Sequence, residues 1–461
     1  MQDFKHITRK KRFTIFDSSR PIQENKRIEP ANEMRPCLPE PPARPFMTRF
    51  RLPLLFLAVV AVLTPVFAIL FNYGPKAAKA AISWLNTDAR QSSDASESVS
   101  PASFTAADRL LGSASLQGEQ LAASTEHGET LYFSIMPGLQ KHVHDYMAAN
   151  KVPYGVFIAI EPSTGRILAM TSYSAIDAEW GRKAFYETYP MASLFKIVTA
   201  SAALENGKIN PQSVIHFRGS AVSENPKYWE PGPKGRSNSM DVTCAMGKSV
   251  NPVYGKIASD IAGKSSVMQY VQKFGFNQAL FPETPVRQSS TCDPADRTTL
   301  MRMGAGLEHD VRISPLHAAS MMAAIANGGA MMSPRLTDRI VTPKGKVQNV
   351  PPTREIRRIV TAETAGALTR MLSSTVTTGT SRKAFHDRRG KPLMPLDIAA
   401  KTGSISGTDP KGHYSWFAAY APAANPRIAL VALVINQNKW KIKSSHVGEQ
   451  ALQEFFKKGG V

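Results

Sequence analysis

Only three cysteines occur in 461 residues, so no dense disulfide framework holds this chain together. Acidic side chains are also in short supply: 36 Asp and Glu stand against 56 Lys and Arg, a net charge of +20. Long apolar runs are scarce. Only Leu52 to Phe71 approaches the length of about 20 residues that a bilayer requires, which excludes a multi-span membrane protein. There is no internal repeat and no His-Glu-x-x-His metal signature. Gly247-Lys248-Ser249 mimics the end of a phosphate-binding loop, but the first glycine that loop needs would stand where the chain has Val242. The hydrophobic share of 43% and the charged share of 20% are ordinary, so the chain is not wholly disordered and has a core to bury.

The single apolar run, LPLLFLAVVAVLTPVFAILF, carries no charge and is apolar all round rather than on one face. At about 1.5 Å per residue it reaches roughly 30 Å, the thickness of a bilayer's hydrocarbon core. The 51 residues before it hold 12 basic and 6 acidic side chains, including Arg44, Arg49 and Arg51 close to the membrane. Basic flanks favour the cytoplasmic side, which places residues 1–51 inside as a basic tail and everything after Tyr73 outside. A cleaved signal peptide would have a shorter basic region and a shorter apolar run, so 52–71 reads as an uncleaved transmembrane helix of a bacterial cytoplasmic membrane.

From 72 to 130 the composition shifts to Ala, Ser, Asp, Gln and Thr with little sustained periodicity, which predicts a flexible tether with room for short helices. Residues 131–461 hold 40 basic and 23 acidic side chains. Outside the cytoplasm that excess fits an anionic cell-wall polymer or lipid head groups and argues against nucleic acid as a partner. Cys37 falls on the cytosolic side; Cys244 and Cys292 fall outside, where they could pair or stay free.

Within 131–461, YGVFIAI (154–160) and RILAMTS (166–172) are joined by turn residues and predict a hairpin. SLFKIVTASAALEN (193–206) and SPLHAASMMAAIAN (314–327) predict helices, the second capped by Ser314 with Pro315 at its first position. Residues 397–401, 414–420 and 428–436 predict three more strands, followed by a helix from about 446 to 458. The expected class is α/β of the α+β kind. An antiparallel sheet is built from both ends of the region, with flanking helices and an all-helical insert, and one transmembrane helix precedes it.

Three constellations carry chemistry. Ser193-Leu194-Phe195-Lys196 puts a hydroxyl and an amine three residues apart on one helical face. Serine is a weak nucleophile and needs a neutral base, so the lysine must fall from about 10.4 to near 7, about 4 kcal/mol of differential interaction. Ser249-Val250-Asn251 offers a second hydroxyl and an amide that can donate and accept. The same pattern recurs at Ser223-Glu224-Asn225, but that copy sits in an irregular loop while Ser249 leads into a helix-like run. Lys401-Thr402-Gly403-Ser404 ends an apolar strand, where a small Gly admits a substrate backbone and the Lys and hydroxyls suit a carboxylate.

Together and in this order, the three resemble the active-site set of the penicillin-binding proteins and serine β-lactamases. The resemblance covers most of 131–458, including GVFIAIEPSTGRILAM, RISPLHAASMMAAIANGG, VTTGTSRKAF and WFAAYAP. It implies a peptidoglycan D,D-transpeptidase that cross-links stem peptides through an acyl-serine and is acylated by β-lactam antibiotics, with no cofactor or metal. Ser193 would be the nucleophile, Lys196 its base and Ser249 the proton relay. Asn251 would bind the substrate amide and steady Lys196; Lys401, Thr402, Gly403 and Ser404 would hold the terminal carboxylate. The backbone N–H groups of Ser193 and Ser404 would form the oxyanion hole. A cell-wall synthesis complex is an implied partner. A D,D-carboxypeptidase uses the same residues with water as acceptor. Class D β-lactamases are similar around SLFK and WF but have Val where Asn251 stands, and the Glu-x-x-Leu-Asn segment of class A is absent. A non-enzymatic penicillin sensor would carry the metalloprotease signature that is missing here.

Overall fold

Ile428–Asn436 reads IALVALVIN, an apolar run without alternation, and such a run belongs in a strand covered on both faces. In the computed structural model, which describes residues 103–230, 237–350, 353–437 and 440–457, it is completely buried. The five strands of the central sheet are β1 (Tyr154–Ile160), β2 (Ile167–Tyr173), β3 (Ala399–Thr408), β4 (Lys411–Ala421) and β5 (Ile428–Asn436). They run in the order β3-β4-β5-β1-β2 and are antiparallel throughout. The two ends of the region therefore meet where β5 pairs with β1, Leu433 opposite Val156.

Successive β5 side chains feed different cores. Ala429, Val431, Leu433 and Ile435 point into a cluster with Leu316, Met321 and Met322 of the helix Pro315–Ala326. Leu430, Ala432 and Val434 point into a second cluster with Leu139, Val143 and Met147 of helix Pro137–Ala149 and Val447, Leu452 and Phe455 of helix Ser444–Lys457. Each large aliphatic side chain so buried contributes about 2 kcal/mol, which makes the sheet a rigid wall for the site. Helix Pro315–Ala326 starts as expected: the Ser314 hydroxyl accepts from the His317 N–H at 3.1 Å, and Pro315 fills the first turn.

Two expectations need correction. The insert between β2 and β3 is not all-helical. It contains the two-stranded pairs Tyr189–Pro190 with Arg312–Ile313, Val214–Phe217 with Asn238–Asp241, and Ala330–Met332 with Glu355–Arg358. These strands are two to four residues long, too short to show a period of two above the helical pattern around them.

The described part of the expected tether is folded. Phe104–Leu111 is a helix capped by Ser103, and Phe104 and Ala107 are buried. Ser115–Gln117 and Gln120–Ser124 join Thr130–Phe133, Thr337–Val341 and Val347–Asn349 in a second five-stranded sheet. A boundary at 131 cuts through one of its strands. The partner strand Thr337–Val341 lies some two hundred residues away in sequence, so local composition carries no trace of the pairing. Residues 1–102, with the basic tail, the apolar run 52–71 and most of the tether, lie outside the described residues. Among those described, no helix is long and apolar enough to cross a membrane. Cys244 and Cys292 are both free.

Candidate active site

The helix expected from 193 begins as a tight 3-10 turn, Ala192–Phe195, and becomes α-helical only at Lys196. Ala192 has φ +53°, a left-handed conformation a residue with a Cβ adopts only when its surroundings impose it. Gly306 is part of that surrounding. A Cβ there would lie 2.2 Å from the Ala192 carbonyl oxygen and 2.8 Å from the Ser193 Cα, so only glycine lets the loop after helix Arg297–Ala305 press on the turn. Gly403 makes the matching approach from the sheet: a Cβ there would sit 3.1 Å from the Ala192 Cβ and 3.3 Å from the Met191 carbonyl oxygen. Trp416 on β4 closes the frame by donating its indole N–H to the Pro190 carbonyl at 2.9 Å.

Lys196 is wholly buried, and its Nζ lies 2.7 Å from Ser193 Oγ. Nζ also reaches Asn251 Oδ1 at 2.8 Å and the Ala305 carbonyl at 2.5 Å. Burial drives the amine well below the usual lysine range, and the charge of Lys401 adds to the effect. A neutral amine has two N–H donors and one lone pair. The two carbonyl oxygens can take only donors, so the lone pair is left facing the Ser193 hydroxyl.

Ser249 ends helix Val242–Lys248 in a left-handed conformation, φ +57°, and Asn251 opens the next helix, Asn251–Lys256. This abrupt turn brings Ser249 Oγ within 2.9 Å of the Lys401 Nζ while Asn251 reaches Lys196. Lys401 is buried on β3, its Nζ also donating to the Thr402 carbonyl at 2.7 Å, and burial pushes it down to about 7. Ser193, Lys196 and Asn251 thus form one hydrogen-bonded group and Ser249, Lys401 and Thr402 a second, close enough for the Lys401 charge to act on Lys196, with Gly403 against the turn at Ala192 and Ser404 next to it on the edge strand. The alternative copy at 223–225 has a different place: Asn225 caps the turn at Lys227, and the Ser223 carbonyl accepts from Asn251 Nδ2 at 3.2 Å.

Two further groups were not singled out from sequence. Thr380 Oγ1 lies 2.6 Å from Thr402 Oγ1, in the turn that follows helix Ala362–Thr377; it belongs to the run VTTGTSRKAF, but nothing local marks it within that run. The Ala305 carbonyl that holds Lys196 is a backbone group and leaves no residue-type signal at all.

Residues 155–457 match the penicillin binding protein transpeptidase domain. The chain is 28% identical over 339 residues to the peptidoglycan D,D-transpeptidase PbpA of Mycolicibacterium smegmatis, covering 65% of this chain and 66% of that one. It is 30% identical over 319 residues to the protein of the same name from Mycobacterium tuberculosis, covering 61% and 62%. It therefore spans less than two thirds of the length of these relatives. The crystal structure of PBPA from Mycobacterium tuberculosis superposes with a TM-score of 0.59 at 25% identity, covering 71% of this chain and 82% of that one. Its penicillin G acyl-enzyme complex superposes with a TM-score of 0.57 at 26% identity, covering 71% and 81%.

Proposed function

The chain belongs to the penicillin-binding protein transpeptidase family, and on that premise we propose that it is a peptidoglycan D,D-transpeptidase, anchored in the bacterial cytoplasmic membrane by residues 52–71 with its catalytic part outside. The observation that carries the reading is the buried Lys196 amine, 2.7 Å from the Ser193 hydroxyl and wired to two carbonyl oxygens. In the first half-reaction Ser193 Oγ attacks the carbonyl carbon of a D-Ala-D-Ala bond on a stem peptide as its proton passes to Lys196. The carbon–nitrogen bond breaks, Ser249 hands a proton to the departing amine and regains one from Lys196, and an acyl-serine remains. In the second, an amine from a neighbouring stem attacks that ester, forming a new amide and returning the proton to Ser193. Lys401, Thr402 and Ser404 hold the terminal carboxylate, and the backbone N–H groups of Ser193 and Ser404 stabilise the oxyanion, each donor being worth about 3 kcal/mol. The same acylation captures β-lactam antibiotics. The excess of basic residues over 131–461 suits an anionic wall, and a cell-wall synthesis complex is the natural setting for a domain tethered in this way.

Incubation with stem peptides followed by mass spectrometry tests the reaction. Cross-linked dimers are expected; shortened monomers alone would make the enzyme a carboxypeptidase.

The acylation rate is expected to depend on pH through both lysines. Lys196 must be neutral to act, and burial together with the Lys401 charge favours that form; acidification protonates it and lowers kcat/KM. Lys401 must be charged to hold a carboxylate, and above its value of about 7 that charge is progressively lost. The kcat/KM for penicillin should fall on both sides, with the alkaline limb beginning near pH 7. Stopped-flow acylation that stays flat from about pH 5 to 9 would count against both roles.

A further inference from the structure

Strand β3 is the edge of the central sheet, with β4 on one side only. Every second residue of an antiparallel edge strand turns its backbone N–H and C=O outward, and such an edge can accept a peptide as an extra strand. The Ser406 carbonyl is one of the outward groups, because it is taken by the Nε2 of His309 at 3.0 Å. By the same alternation Ser404 and Thr402 also face outward. The Thr402 carbonyl is already engaged by Lys401 Nζ at 2.7 Å. Among the described residues, Ser404 is then the open station between two occupied ones.

His309 is not a loose side chain that happens to lie there. Its loop begins at Ala305, whose carbonyl holds Lys196, and passes through Gly306, which presses on Ala192. Arg302 then clamps the loop, donating from Nε to Glu308 Oε1 at 2.6 Å and from Nη2 to the Leu307 carbonyl at 3.2 Å. The imidazole is delivered to β3 by the same segment that shapes the nucleophile turn.

We propose that His309 closes the β3 edge and is a specificity-determining residue, limiting the acyl-donor peptide to a single backbone pairing at Ser404. The inference rests on the transpeptidase reading of the site. A donor whose C-terminal carboxylate sits at Lys401 and Thr402 must run antiparallel to β3, so its upstream residues head towards Ser406. If the acyl-donor residue pairs with Ser404, the residue two positions earlier would pair with Ser406, about 7 Å further along. His309 occupies that position, so the upstream peptide leaves the strand edge there and adds no backbone pairing. The enzyme reads the terminal dipeptide closely and is indifferent to peptide backbone beyond it.

The test uses N-acetyl-D-boroalanine, which forms a reversible adduct with a nucleophilic serine, and the same boronate extended at its N-terminus by two residues. Affinity for the full-length protein is read from the slowing of fluorescent-penicillin labelling, and independently from the shift in thermal midpoint. In the wild type, extension is expected to tighten binding by less than about twofold. In His309→Ala it should tighten binding by about tenfold, since the Ser406 carbonyl becomes free to pair. His309→Gln, which can donate to the same carbonyl, should behave as the wild type. Equal length dependence in the wild type and His309→Ala, or a Gln variant indistinguishable from Ala, would overturn the proposal. Failure of wild-type Ser193 to take up penicillin would instead overturn the underlying reading, and the thermal shifts would still report whether length discrimination exists.

Discussion

Exchange of Ser193 for alanine is expected to abolish covalent capture of a fluorescent penicillin while leaving the fold intact. The Ser193 hydroxyl touches Lys196 and sits in a turn held by Ala192, Gly306 and Gly403, none of which depends on it. The thermal midpoint should therefore move by no more than a few degrees. Acyl transfer should fall by about 10⁴ to 10⁶, the scale of losing a serine nucleophile, because the neighbouring hydroxyl of Ser249 is held by Lys401 rather than by the buried base. The check is a gel band together with the intact mass. A labelled Ser193→Ala protein, with the added mass mapped to another residue, would remove Ser193 from the mechanism.

The next largest effect is expected for Lys196→Met, which keeps the length of the side chain and removes the base. Acylation should slow by about 10³-fold, within the range that positioned general bases supply. Lys196→Arg should lose as much, because a guanidinium cannot give up its proton to become a base. Stability should respond differently in the two. In the Met variant, Asn251 Oδ1 and the Ala305 carbonyl lose their donor, at about 1–3 kcal/mol for each buried group left unpaired, against the relief of burying a thioether in place of an amine. In the Arg variant a permanent charge is forced into a fully buried site beside Lys401, so its midpoint should drop further. Pre-steady-state acylation and thermal unfolding measure the two effects separately. A Met variant acylated within tenfold of the wild type would mean that some other group takes the proton.

Much of the fold was legible where side-chain pattern and secondary structure coincide over many residues. The run 428–436 matches β5 residue for residue, and the predicted hairpin is the β1–β2 pair displaced by one residue at its second strand. The capped helix at Ser314 matches because capping is a local hydrogen bond between a side chain and a backbone group three residues on. The short pairs inside the insert and the sheet that takes up residues 115–124 were not legible. Their stability comes from partners far off in sequence, such as Thr130–Phe133 against Thr337–Val341, and a strand of three to five residues has too few side chains to show a period.

The site divides along the same line. Sequence by itself determined which side chains are candidates, because a Ser and a Lys three apart, a second Ser with its Asn, and a Lys-Thr-Gly-Ser strand end are local patterns of residue type. Only the tertiary structure shows the surroundings that favour a neutral lysine there. Complete burial and the nearby Lys401 on the sheet lower the affinity of its amine for a proton, and the Ala305 carbonyl at one helix end fixes where the amine sits. Tertiary structure also put Ser249 beside Lys401 and Asn251 beside Lys196, left the Ser223 carbonyl as an acceptor for Asn251, and set His309 on the Ser406 carbonyl. Desolvation and charge proximity are properties of a place in space, shared by residues up to about two hundred positions apart, and no stretch of chain read alone contains them.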